Sequence, residues 1–115
     1  GGHTQGATMW MTTVEENGET FDVAFRGGEI PNDGAPLVDN PRHPTVVEDT
    51  QRTLRRLKDL SPPDLFLHNH ARETSSGLNP DLPVNPNCAS CLDAEGWMEM
   101  VASAEARFQS MLTEQ

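Results

Sequence analysis

The stretch "ATMWMTTVEENGETFDVAFR", residues 7–26, holds two runs of β-formers around Asn17-Gly18. The first run, residues 7–14, is rich in β-formers and reads as a strand. Asn-Gly is the pair that most readily takes the left-handed backbone of a two-residue hairpin turn. The second run, residues 20–26, sets Phe21, Val23 and Phe25 on one face and Thr20, Asp22 and Ala24 on the other, the pattern of a half-buried strand. An antiparallel hairpin is therefore expected.

Residues 27–44 are rich in glycine, proline, Asn and Asp and lack periodicity, so a long loop follows the hairpin. Loops of that length within a compact domain are usually functional or disordered. Thr45-Val46-Val47-Glu48 has the form of a capping box directly after Pro44. Val47, Leu54 and Leu57 then recur at helical spacing, which predicts a helix over about 45–59. "SPPD" ends it, and "LFLHNH", residues 65–70, reads as a short buried strand with a polar end. A second long loop is expected over 71–91. The closing helix starts near Asp93 and places Trp97, Val101, Ala104, Phe108 and Leu112 on one stripe. The order strand, strand, helix, strand, helix makes an α/β fold over residues 1–115, without internal repeats.

Composition narrows the function. A chain of 115 residues buries roughly two thirds of its unfolded surface, enough for one modest core. A formal net charge of −10 argues against nucleic-acid and anionic-membrane partners, which need clustered Lys and Arg. The five basic residues from Arg42 to Lys58 are interleaved with acids and read as a solvated helix face. No run approaches the ~18 apolar residues of a membrane span, and no charged leader with an apolar core is visible. Cys88 and Cys91, the only two cysteines, are spaced C-x-x-C in "VNPNCASCLD". Without a second ligand pair nearby they read as a local disulfide or two free thiols, the alternative being a metal clip or redox pair.

Four histidines stand at positions 3, 43, 68 and 70. His3 lies just before the first strand and His70 just after the third, junctions where a rigid sheet can hold a ligand still. Neutral imidazole is the commonest zinc ligand, and a catalytic zinc keeps three protein ligands and one open position. For each histidine a solvated or hydrogen-bonded structural role is the ordinary alternative.

Taken in order, "GHTQGATMW", "VDNPRHPTVVEDTQRTLRRLKDL", "DLFLHNH" and "LDAEGWMEMVASAEARFQSMLTEQ" resemble the C-terminal half of a metallo-β-lactamase. Within that superfamily they are most similar to the third subclass of class B. G-H-T-x-G is shared by many zinc hydrolases of the fold; the N-P-R-x-P segment, the capped helix and the D-A-E-G-W helix start narrow the match. The resemblance implies half of an αβ/βα sandwich and a cofactor of one or two zinc ions. It also implies β-lactam hydrolysis by zinc-bound hydroxide, with no protein nucleophile. It assigns His3 to the first zinc and His70 to the second. His68 becomes a candidate supporting or substrate-side residue, His43 a packing or surface residue, and Ser75 and Ser76 loop residues.

The remaining ligands of that family come from an upstream H-x-H-x-D-H motif, a string that these 115 residues do not contain. The chain is accordingly expected to be a C-terminal half that associates with its N-terminal half or with itself. The joining surface would be a sheet face drawn from Met9, Met11, Val23, Phe25, Leu65 and Leu67. The resemblance places the activity in the periplasm or outside the cell. "RGGEIPNDG" departs from the subclass, which usually has small hydroxyl residues in that loop. Glu29 there is either a zinc-side or substrate-side carboxylate or a surface charge. Two other readings stand beside the first: a non-catalytic or degenerate domain acting in protein association, and a zinc hydrolase with another substrate.

Overall fold

The computed structural model describes residues 2–70, 73, 74 and 92–115. Ser75, Ser76, Cys88 and Cys91, with most of the loop expected over 71–91, lie outside the described residues. The elements follow the expected order: β1 (Trp10–Glu16), β2 (Glu19–Arg26), α1 (Val46–Asp59), β3 (Leu65–His68) and α2 (Ala94–Glu114). The sheet order is β1-β2-β3, with β2 antiparallel to β1 and parallel to β3. Asn17 and Gly18 both have positive φ, 53° and 80°, as the two central positions of a type I′ turn require. β1 starts at Trp10, later than the run of β-formers from residue 7 suggested. Residues 4–8 are taken up by turns, in which Ala7 N–H donates to the Thr4 carbonyl and the Thr8 hydroxyl to that of Gly6.

The chain forms two compact units. One joins Met9–Gly27 to Ser61–Glu99 and contains the sheet and the first turns of α2. Its register pairs Trp10 with Phe25, Phe25 with Leu67, and Val14 with Phe21, so these side chains share one face of the sheet. Ala24 pairs with Phe66 on the opposite face, where Phe66 meets Trp97 edge-on with ring centroids 5.7 Å apart. That polar-looking side of β2 is the deeper one, because the small Ala24 and the buried Arg26 lie there beside Phe66. On the apolar side only Val23 is buried, while Phe25 is 45%, Val14 43% and Trp10 71% exposed. Met9, Leu65 and Leu67 are half-buried, and Met11, though exposed, points to the other face.

Asp64 ties this unit together. Its N–H donates to the Asp22 carbonyl (2.9 Å) and its carboxylate accepts the Asp22 N–H (2.7 Å). Its own carbonyl accepts the Asp93 N–H (2.7 Å), and the Asp93 side chain accepts the Gly96 N–H (3.0 Å) as the cap of α2.

The second unit comprises Gly28–Leu60, Met100–Gln115 and the segment up to Thr8. Its core joins Ile30, Leu37, Val46, Leu54, Ala104, Phe108 and Met111. Met111 takes the position expected of Leu112, which is only partly buried; steps of three and four from Trp97 reach 111 before the stripe rotates away. Arg52, Arg55, Arg56 and Lys58 are exposed on α1, and Lys58 pairs with Glu105 at 2.7 Å.

The capping box at Thr45 does not form. Thr45 sits at φ −102°, ψ 21° and makes no side-chain bond to the helix backbone; its hydroxyl donates to the Asp49 carboxylate instead (2.7 Å). Thr50, fully buried on α1, has no hydrogen-bond partner for its hydroxyl among the described residues. A buried donor without a partner carries its desolvation cost uncompensated. Thr50→Val, which keeps the branched shape, should raise the unfolding free energy by about 1 kcal/mol, read as a higher urea midpoint at unchanged slope.

Candidate functional site

His3 is exposed and sits in the turn ahead of β1. Two close backbone approaches hold this turn against the loop after β2. A Cβ on Gly28 would stand 2.7 Å from the His3 Cβ and Cγ, and one on Gly2 would collide with the Glu29 carbonyl. Both positions therefore need glycine, which explains two of the glycines around the G-H-T and R-G-G-E motifs. Glu29 is only 7% exposed, so the surface-charge reading of it is corrected: the residue lies out of solvent, in the loop whose backbone Gly2 approaches. It does not line the cavity beside His3.

That open cavity, of about 600 Å³, is bounded by His3, Pro31, Asn40, Arg42 and His43. The N-P-R-x-P segment builds one wall. The Asn40 side-chain oxygen accepts the N–H groups of Arg42 (3.0 Å) and His43 (3.1 Å), and its amide donates to the Pro36 carbonyl (2.9 Å). His43 is buried with Nε2 2.9 Å from Asp49 Oδ2, which selects packing over the surface contact also left open for it. Asp49 thus gathers His43, Thr45 and Arg52. The hydrogen bonds from His43 and then Thr45 hold its carboxyl below the ordinary carboxylate range, with Arg52 assisting.

The second cluster belongs to the sheet unit. β3 ends at His68, so His70 leaves the strand. The two rings stack all the same, with centroids 5.3 Å apart and planes at 27°. His68 Nδ1 accepts the His70 N–H at 2.8 Å, and its Nε2 lies 3.5 Å from the Glu73 carboxylate. The His68 side chain is 3% exposed, whereas His70 is exposed. Glu73 returns to the same place: its N–H donates to the His70 carbonyl (2.9 Å), and its own carbonyl accepts from Arg26 (2.8 Å). Arg26 and Glu73 carried no sequence signal of function; the polar-face position of Arg26 on β2 was the only hint.

His3 and His70, the two proposed zinc ligands, fall in different compact units and each presents an exposed imidazole. Among the described residues, no three His, Cys, Asp or Glu side chains gather where they could hold a metal ion. The donors suit zinc in kind, but these residues do not close a zinc site by themselves.

The geometry matches solved structures over nearly the whole chain. A metallo-β-lactamase from Cronobacter sakazakii is 29% identical with a TM-score of 0.81, over 98% of this chain and 42% of that one. The native FEZ-1 metallo-β-lactamase from Legionella gormanii is 26% identical with a TM-score of 0.80, over 99% of this chain and 43% of that one. A class B3 di-zinc enzyme from an Alaskan soil metagenome gives 21% and 0.78, over 97% and 42%. The chain has the fold of part of a class B3 metallo-β-lactamase. It spans less than half the length of those structures, and the likeness relates it to a hydrolase superfamily. No protein-family model matches the sequence. Among the described residues, no helix is long and apolar enough to cross a membrane.

Because the carboxyl of Asp49 titrates below its ordinary value of 3.8, the stability it contributes is present above that value and lost as pH falls through the folded-state value. Asp49→Asn should lower the urea midpoint at pH 6, and the gap from the unmodified chain should close as the pH falls below 3.8.

Proposed function

We propose that the chain is the C-terminal half of a zinc-dependent hydrolase acting on β-lactams, in the periplasm or outside the cell. His3 contributes to a first zinc and His70 to a second, the remaining ligands coming from a segment bearing H-x-H-x-D-H. The observation that carries this reading is the match to metallo-β-lactamases over 98–99% of this chain at 26–29% identity, together with an exposed imidazole at each motif position. The apolar sheet face with Trp10, Val14 and Phe25 supports a joining surface for the rest of the fold, since contiguous exposed apolar patches mark interaction sites.

A second reading, a domain that binds a partner and hydrolyses nothing, is favoured by the lack of any three-donor metal group among the described residues. A zinc hydrolase with another substrate is favoured by Glu29, a buried acid in a loop where the subclass usually has small hydroxyl residues.

Elemental analysis and a chromogenic cephalosporin assay, on the chain alone and with an added N-terminal part, separate these. The expected result is zinc and turnover only in the completed protein, with both reduced at least about 10-fold by His3→Ala or His70→Ala. A completed protein that holds zinc but leaves the cephalosporin intact moves the proposal to another substrate. One that takes up no zinc overturns it in favour of the binding domain.

A further inference from the structure

His70 is exposed, yet it is gripped on both sides of its backbone. Its N–H donates to His68 Nδ1 at 2.8 Å, its carbonyl accepts the Glu73 N–H at 2.9 Å, and its ring lies on the His68 ring. A solvent-facing residue two positions beyond a strand ordinarily has none of these restraints. The grip is anchored in turn. His68 is almost fully buried, and the Glu73 carboxylate lies 3.5 Å from its Nε2 and 3.6 Å from an Arg26 nitrogen. The other terminal Arg26 nitrogen donates to the Glu73 carbonyl, and its guanidinium lies 5.9 Å from the centre of the Phe66 ring. Phe66 is itself held by Trp97.

We infer that Arg26, Glu73 and His68 are positioning residues that set the orientation of the His70 imidazole for metal binding. The grip follows from contacts within this chain; only its use for a metal rests on the reading of His70 as a ligand. His68 accepts at Nδ1, which in the neutral ring puts its proton on Nε2, facing Glu73. These contacts hold the ring in rotation, and its flat face limits the positions open to the His70 ring. A ligand held in this way loses less rotamer freedom on binding than a free surface histidine, and supporting partners of this kind are typically worth about 10–100-fold in metal affinity.

The test has two arms. In the first, amide exchange at His70 and the ring proton shifts of His70 are measured by NMR on the 115-residue chain, with Trp97 fluorescence as the check on folding. His68→Leu should speed His70 amide exchange by about 10-fold or more and remove the ring-current shift. His68→Asn, whose side-chain oxygen can replace Nδ1 as acceptor, should restore the amide protection without the ring shift. Glu73→Ala, at an exposed position tolerant of change, keeps the test usable if His68→Leu does not fold; it should loosen both signals. Unchanged exchange and ring shifts in a folded His68→Leu or Glu73→Ala chain overturn the inference.

In the second arm, zinc affinity of the chain completed with its N-terminal part is measured by chelator competition. It should fall about 10–100-fold in Glu73→Ala and recover in Glu73→Gln. Unchanged affinity in Glu73→Ala overturns the inference, provided that His70→Ala does weaken binding. If His70→Ala leaves zinc affinity unchanged, the ligand reading of His70 fails, and with it the use of the grip for a metal; the first arm alone then decides the grip itself.

Discussion

Asp64 is the residue on which the sheet unit depends. With one side chain and one peptide unit it accepts from and donates to Asp22 on β2, and it receives the N–H of Asp93 where α2 begins. Two consequences follow. β3 is set beside β2 in the register that places Phe66 against Ala24, and α2 starts where Trp97 can cover the Phe66 ring. A one-residue slip in β3 would move Phe66 to the other face and His68 with it. The charge-assisted bond from the Asp22 N–H to a carboxylate is among the stronger kinds of protein hydrogen bond, which suits a junction that sets the register of a strand only four residues long.

The two histidines assigned to zinc are supported by different polar scaffolds. Around His3 the work is done by backbone contacts at glycines and by a wall that Asn40 and Asp49 organise. Around His70 it is done by Arg26, Glu73 and His68. In both, buried or half-buried polar groups are spent on holding a loop rather than on facing solvent. In both, the imidazole at the motif position stays exposed. Within each unit by itself, a loop gains its rigidity from the groups packed beneath it, in the sheet unit as in the other. The apolar side of that sheet is its opposite in character, with Trp10, Val14 and Phe25 open to solvent.

Much of this was legible in the residues. The Asn17-Gly18 turn, the two helices and the short third strand followed from turn chemistry and periodicity, because those signals act between near neighbours. The motif order led to the class B3 fold, and of the two roles left open for His43, packing or surface contact, the structure shows the first. Local rules failed where a distant partner competed. Thr45 abandoned its capping role because the Asp49 carboxylate offered a charged acceptor. Glu29 is buried where the loop after β2 meets the segment carrying Gly2. The apolar row of β2 stayed partly open while its polar side was covered.

The sequence by itself determined which elements form and in what order, since hydrophobic period and turn residues bias each segment independently of the rest of the chain. It also placed His70 just beyond the third strand, whereas His3 stands seven residues ahead of β1. Tertiary structure alone decided which face of the sheet is covered and that an arginine is buried beside Phe66. It alone decided that His68 and Glu73 close on His70. Those outcomes depend on groups separated by up to 47 residues, and no local pattern encodes a contact whose partners meet only after the chain has folded.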